Sequence, residues 1–506
     1  MGRLDAQGAA VIVMQKVKHA FALLFFLCLL FCPAAWPHVG SPDVYYEAMA
    51  GPYKLFVTVR MPQMIPGIAQ IEVRSLEGTV SDIEIVPLRV IGEGSTTAPP
   101  SDRMTRSSGD PQFFTGKLWL MESGSLQVRM QVSGAQGNVE LAVPVPAYAQ
   151  RTLGMQKSTA VLLAGLMVFL TLSLISIFGA AAREGQLEPG AEIPPVKQSR
   201  ARIAMAVAGV AVVGILFLGN VWWSSIATAN ANEKVYKAPP VEVSLANGNE
   251  LVLKMGASPW HEHRKQMQLD TIIPDHGHLM HLFLIRMPEM DDFYHLHPDE
   301  SAVGTFTERM PPVSGGSYAV FADIVRESGF PDTMTSKIDL PAAEKAAPLT
   351  GDDSATVAPK ISTVHGNITT APLGGSDHVE WEVDAHTLQA LKPTLLRFRV
   401  RDQDGTPAKD LEPYMGMAGH LVILRRNLSV FAHLHPAGSV PMAALMLLEK
   451  PSPSGSGSMA EMRHGAVTNE ITFPYGFPQA GDYRLFLQVK RAGQVQTAVF
   501  DGHVAP

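Results

Sequence analysis

The second half of the chain carries one pattern twice. His281-Leu282-Phe283-Leu284-Ile285-Arg286 is followed by Phe293-Tyr294-His295-Leu296-His297-Pro298. In the same way, His420-Leu421-Val422-Ile423-Leu424-Arg425 is followed by Val430-Phe431-Ala432-His433-Leu434-His435-Pro436. The first histidine precedes the His-Leu-His-Pro unit by 14 residues in one copy (281 to 295) and by 13 in the other (420 to 433). Downstream, Gly316-Ser317-Tyr318-Ala319-Val320-Phe321 answers to Gly481-Asp482-Tyr483-Arg484-Leu485-Phe486. An internal repeat constrains the fold more than any single motif, because both copies must form the same supersecondary unit. Two related domains are expected, each built around the same histidines.

Residues two apart in a strand share a face, so His295 and His297 converge, as do His433 and His435. If the preceding strand pairs with them as an antiparallel hairpin, His281 or His420 approaches the same face from about 5 Å across the ladder. Three neutral imidazoles on one face suit Cu(II) or Zn(II). The sequence therefore predicts one site from His281, His295 and His297, and another from His420, His433 and His435. His276 and His278, just upstream, join the candidate ligands of the first, although the odd separation of His278 from His281 argues against a shared face in a regular strand. His261 and His263 repeat the two-residue spacing.

The only cysteines, Cys28 and Cys32, lie in an apolar N-terminal run, so a processed chain would have no thiolate ligand. Methionines gather near the histidines: Met280, Met287, Met290 and Met310 in the first copy, and Met415, Met417, Met442, Met459 and Met462 in the second. Thioethers favour Cu(I), so histidine and methionine without cysteine point to copper ahead of zinc. The competing reading is structural: each His-Leu-His-Pro closes a hairpin end, its histidines bonded to backbone and its proline ending the strand. Catalysis would need an open metal position and a placed base; Asp299, Glu300 and Glu308 are too loosely placed to serve, so binding is expected rather than an enzyme.

The rest of the chain frames these domains. Lys16 and Lys18, the apolar run Ala20 to Phe31 and Cys32-Pro33-Ala34-Ala35 read as a secretory signal peptide over residues 1–35. Residues 38–150 alternate with a period of two, as in Ala69-Gln70-Ile71-Glu72-Val73, and read as a β-sandwich. Two uncharged runs, 158–182 and 203–225, are long enough to cross a bilayer as helices. Arg183, Lys197, Arg200 and Arg202 lie in or beside the connecting loop, 183–202, which the positive-inside rule places in the cytoplasm. Residues 240–345 and 360–506 hold the two histidine repeats, with a linker over 342–359 and a flexible Pro/Ser/Gly insertion at 451–458. The expected architecture is mostly β: three β-sandwich domains of the immunoglobulin or cupredoxin sort, plus two transmembrane α-helices. A net charge of -7 without a basic run excludes nucleic acid as a natural partner.

Leu411-Glu412-Pro413-Tyr414-Met415-Gly416-Met417-Ala418-Gly419-His420-Leu421-Val422, with Ala432-His433-Leu434-His435-Pro436, resembles the C-terminal module of bacterial secreted proteins described as heavy-metal or copper-binding. The segment from Val39-Gly40-Ser41-Pro42 to Ala50-Gly51-Pro52-Tyr53 looks like membrane proteins with an exported domain of the YtkA/FixH type. His38, near the expected processed terminus, is similar in place to the N-terminal copper-ligating histidine of carriers of the CopC kind. The resemblance implies an inner-membrane protein whose N- and C-terminal domains face the periplasm, binding or delivering copper with a metal donor or acceptor protein as partner. The alternative is an envelope scaffold or interaction protein in which the histidines serve the fold.

Overall fold

The computed structural model describes residues 41–188, 190–262, 269, 271–343, 348–349, 351–365, 368–382, 388–449 and 467–506. The expected signal peptide, His38, both cysteines, His263, His386, His464, Met459, Met462 and the insertion at 451–458 lie outside the described residues.

Period-two sequence becomes strand throughout. In Gly67–Glu77, Ala69, Ile71 and Val73 are buried while Ile68, Gln70 and Arg74 face out. The N-terminal domain packs a sheet ordered Val44–Ala50, Tyr53–Arg60, Gly67–Glu77, Phe113–Leu120, Thr105–Arg106 against one ordered Asp102–Arg103, Val80–Arg89, Gly124–Gly134, Gly137–Ala147. Leu55, Val57, Ile71, Ile85, Val128 and Met130 fill the space between them.

Two helices follow, α1 (Lys157–Glu184) and α2 (Pro195–Lys234), with mean hydropathy of 2.6 and 2.3 over their most apolar stretches. At a rise of about 1.5 Å per residue, each exceeds the roughly 30 Å of a bilayer's hydrocarbon core. Their apolar side chains point mostly outward, as lipid-facing helices require. Gly179 lets α2 come close: a Cβ there would lie 2.7 Å from the Met205 side chain. The chain enters and leaves this pair at one end, since Ala149 bridges Val235 and the Tyr236 amide donates to the Ala149 carbonyl at 2.9 Å. The two apolar helices mark a membrane-associated protein, with the N-terminal domain and the repeats at the same end of the helical hairpin.

Each repeat is a two-sheet sandwich. In the first, Val241–Ala246, Glu250–Met255, Thr305–Arg309 and Asp299–Ala302 form one sheet. The other runs Ile272–Ile273, Gly316–Arg326, His281–Met287, Asp292–Leu296, Ser354–Val357. In the second, the corresponding sheet runs Leu388–Gln389, Gln494–Ala505, Gly481–Arg491, His420–Arg425, Phe431–Leu434. The expected fold class is therefore what the chain adopts: mostly β, three sandwiches and two long apolar helices.

The two repeats pack sheet on sheet. Leu282 and Leu284 point into the first sandwich's own core. Phe283, Ile285 and Phe293 point the other way, into a second cluster with Val422, Leu424, Phe431, Phe486 and Val499 of the other repeat. Phe293 stacks on Phe486 at 4.3 Å and Phe321 on Phe431 at 4.2 Å between ring centroids. Both faces of these hairpin strands are buried, which is why Leu282 to Ile285 and Leu421 to Leu424 are continuous apolar runs. The N-terminal domain closes on the second repeat as well: the Glu47 amide donates to the Ala437 carbonyl, and the Ser439 amide to the Tyr45 carbonyl.

Candidate metal centre

The histidines occupy one end of this inter-repeat face. His281 and His295 share a side with Phe283, and His420 and His433 share one with Val422, so both hairpins present imidazoles to each other rather than to solvent. Each hairpin is preceded by a tight turn, Asp275–His278 in one repeat and Tyr414–Met417 in the other, closed by paired backbone hydrogen bonds. These turns match position for position. His276 and Met415 have φ of 54° and 49°, and Gly277 and Gly416, at 90° and 80°, supply the left-handed residue that follows. The turn folds His276 and His278 back over the sheet end, so the parity rule for a regular strand does not govern them.

Two groups result, and each draws on both repeats. His276, His420 and His435 form one, and His281, His295 and His433 the other, with ligand nitrogens within 4.8 Å of one another in each. The partition differs from one site per repeat, because the hairpins face each other and a histidine's nearest neighbours include those opposite. His297, expected with His281 and His295, is turned aside by Asp353, which accepts from its Nδ1 at 2.9 Å and its backbone amide at 3.0 Å. It stacks on His278 at 3.9 Å, forming an outer pair beside the second group.

Acceptors beside the rings are compatible with one tautomer for each, in which the contacts are these. His276 donates from Nδ1 to the Met415 carbonyl at 3.0 Å, and His435 from Nδ1 to the Val440 carbonyl at 3.3 Å. Both Nε2 atoms therefore carry lone pairs, and they meet at 3.2 Å. In the other group, His281 donates from Nε2 to the Asp275 carbonyl at 3.2 Å. His295 donates from Nδ1 to Oε1 of Gln488 at 2.8 Å, with the Tyr414 hydroxyl 3.2 Å away. The lone pairs on His281 Nδ1 and His295 Nε2 also face each other at 3.2 Å. Among the described residues, neither nitrogen of buried His420, nor Nε2 of His433 or His297, has a hydrogen-bond partner.

A shared proton would relieve two facing lone pairs, but the surroundings disfavour it. Burial first, and the neighbouring imidazoles second, push His281, His295, His420 and His435 well below the ordinary histidine range. His276 is lowered by burial too, with Asp275 opposing, and His297 is lowered by burial against the pull of Asp353. A metal ion relieves the lone pairs differently: with metal–nitrogen bonds of about 2.0–2.1 Å in a tetrahedral site, two ligating nitrogens sit about 3.3 Å apart. The 3.2 Å of the two facing pairs is compatible with that spacing and with an N–H···N hydrogen bond.

Sequence reasoning missed the residues that orient these rings. Asp323 and Gln488 lie opposite His281 and His420 in their own sheets, yet each reaches the other repeat: Gln488 accepts from His295, and Asp323 lies 3.5 Å from Nδ1 of His433. A signal was present, since each is the fifth residue after the Tyr of the Gly-x-Tyr motif (318 to 323, 483 to 488) and is polar in an apolar strand. Of the methionines, Met280 and Met310 lie in the first repeat's core, Met287 and Met290 in or against the inter-repeat cluster, and Met417 and Met442 against the N-terminal domain. His261 belongs to a separate buried network, where it, Arg326 and Tyr236 all bond Asp332.

Residues 374–506, almost all of the second repeat domain, match the family model described as Domain of unknown function (DUF8832). No curated protein matches the chain. Among solved structures, a tetra-tandem repeat from the extending region of a large adhesion protein aligns at 7% identity and a TM-score of 0.16, covering 87% of this chain and 71% of that one. The native conformation of E. coli alpha-2-macroglobulin aligns at 8% identity and 0.20, covering 91% of this chain and 22% of that one. Neither alignment bears on the function of this chain.

Proposed function

We propose that this chain is a membrane-tethered metal-binding protein that holds two copper ions, each in a histidine triad shared between its repeats, and binds or delivers the metal without transforming a substrate. The observation that carries the reading is the convergence of three buried imidazoles in each group, with His276 and His435, and His281 and His295, presenting ring nitrogens 3.2 Å apart where burial lowers the histidine pKa values. The orienting carbonyls and Gln488 are the second layer that metal-bound histidines use. An all-imidazole site binds Cu(II) ahead of Zn(II) by the general affinity order, which supports copper. The resemblances to copper-binding secreted modules and to YtkA/FixH-type exported domains support the same reading. The basic residues beside the loop between the helices support a cytoplasmic loop, hence periplasmic β-domains on an inner membrane.

The test is metal analysis and calorimetry on the full chain in detergent, because the N-terminal domain packs on the loop after His435. Two tightly held equivalents of copper are expected, falling to about one in His420→Ala and in His295→Ala if each site needs its triad. A folded wild-type chain that holds no metal refutes the reading and leaves the histidines as part of a structural interface. Labelling of Lys197 and Lys392 in intact cells with an impermeant reagent tests the orientation: of the two, only Lys392 should react.

A further inference from the structure

Both triads are closed to solvent, so an ion needs a way in. His276, His281, His295, His420 and His435 have side chains almost wholly buried. The outer pair is different. His278 keeps 31% of its side chain exposed and lies 3.7 Å from the Asp352 carboxylate, itself 28% exposed. Behind it, His297 is buried, with its Nε2 lacking a hydrogen-bond partner and its ring 5.0 Å from His281 and 4.7 Å from His295. Asp353 holds that ring through Nδ1, which leaves the free lone pair on Nε2. Glu308, near Asp353 and Asp299, is pushed up to about 7 by burial and by those carboxylates, and Lys490 places a cation at the rim, 3.2 Å from Asp352.

We infer that His278 and Asp352 form a transient cation-capture point and that His297, oriented by Asp353, is the relay behind it, together the port through which a hydrated divalent transition-metal ion reaches the buried triads. The inference rests on the metal-binding reading above. The order of burial gives the path: the carboxylate and half-exposed imidazole of Asp352 and His278 capture the ion, His297 takes it from His278 across the stack, and His281 or His295 receives it. The second repeat has no such relay in its matching turn, where Met417 stands in the place of His278 and packs against the N-terminal domain. Asp353 also explains why His297 departs from the role of His435, its counterpart in the second repeat.

The test follows Cu(II) uptake, and its removal by a chelator, in the full-length metal-free chain in detergent by stopped-flow absorbance. In His278→Gln/Asp352→Asn, uptake and removal should both slow by about tenfold or more while two equivalents still bind with unchanged affinity, since a port alters rates and not the equilibrium. Lys490→Ala should act in the opposite sense and speed uptake, most clearly at low ionic strength. Unchanged rates in the double variant, or loss of a bound equivalent in it, overturn the port while leaving the two triads standing. A wild-type chain that takes up no Cu(II) overturns the triads and the port together.

Discussion

Gln488→Leu separates a metal centre from a merely polar interface. Gln488 is fully buried, accepts from His295 Nδ1 at 2.8 Å and donates to Ser354. Leucine fills much of the same space but removes both bonds. The Tyr414 hydroxyl, 3.2 Å away, remains as an acceptor for the His295 Nδ1 proton, and the Ser354 hydroxyl loses a partner. His295 and Ser354 each keep Tyr414 as a neighbour, so the metal-free chain should lose only about 0.5–1.5 kcal/mol, the net worth of a typical hydrogen bond. Loss of an outer-layer bond to a ligating histidine typically costs about 10–100-fold in metal affinity, or about 1.4–2.7 kcal/mol. That loss should fall on the His281–His295–His433 site alone, because His435 and His276 are oriented by carbonyls that the substitution leaves in place. Calorimetry should show two classes of site where the wild type shows closely matched ones. Gln488→Glu is the control: it keeps an acceptor and mirrors Asp323 in the other half, so affinity should hold or rise. Equal weakening of both sites, or no change in either, would refute the assignment of Gln488 to His295.

Three other outcomes follow from the same geometry. The folded values of His281, His295, His420 and His435 lie below the roughly 6.5 of an unfolded chain, so the unfolded state gains protons first as pH falls. Stability should be full above about pH 6.5 and decline below it by up to about 1.4 kcal/mol per pH unit for each histidine, read as a falling denaturant midpoint; a flat midpoint down to about pH 5 contradicts neutral burial. Phe431→Ala removes a ring stacked on Phe321 at 4.2 Å across the inter-repeat face, and should cost about 3–5 kcal/mol and weaken both metal sites together. Gly438→Ala sets a Cβ 1.9 Å from the Tyr45 carbonyl, and amide exchange at Glu47 and Ser439 should accelerate as the N-terminal strand is pushed off that loop.

Much of this architecture is legible in the chain. Alternation located the strands, hydropathy the two helices, and the repeat the pair of histidine hairpins. The grouping of the ligands was not legible from spacing, because spacing describes one hairpin at a time and the ligands converge across two. The clue to convergence lay in residues without chemistry of their own. Leu282-Phe283-Leu284-Ile285 after His281, and Leu421-Val422-Ile423-Leu424 after His420, break the alternation expected of a half-buried strand, and a strand buried on both faces needs a second partner. The tight turn hid His276 in the same way, since the parity rule assumes an extended backbone and His276 sits at φ of 54°.

On the metal-binding reading, a site divided between two halves would couple metal binding to their association. The Phe293–Phe486 and Phe321–Phe431 stacks hold the sheets together with apolar contacts, while the adjoining end brings together buried imidazoles whose lone pairs oppose each other. The aromatic end holds the interface, while at the histidine end the His276–His435 pair sets two ring nitrogens against each other across it. On the metal-binding reading, an ion would bond nitrogens of both repeats, His276 with His420 and His435, and His281 and His295 with His433. Binding to the folded state alone then adds about 2.7 kcal/mol per site at a free concentration of about 100 Kd. The gain should appear as slower separation of the repeats, not as tighter packing within either sandwich, because each triad joins both. Amide exchange should therefore fall on metal addition in His281–Met287 and His420–Arg425 together. Protection confined to one of these strands would mean that each repeat holds its metal alone.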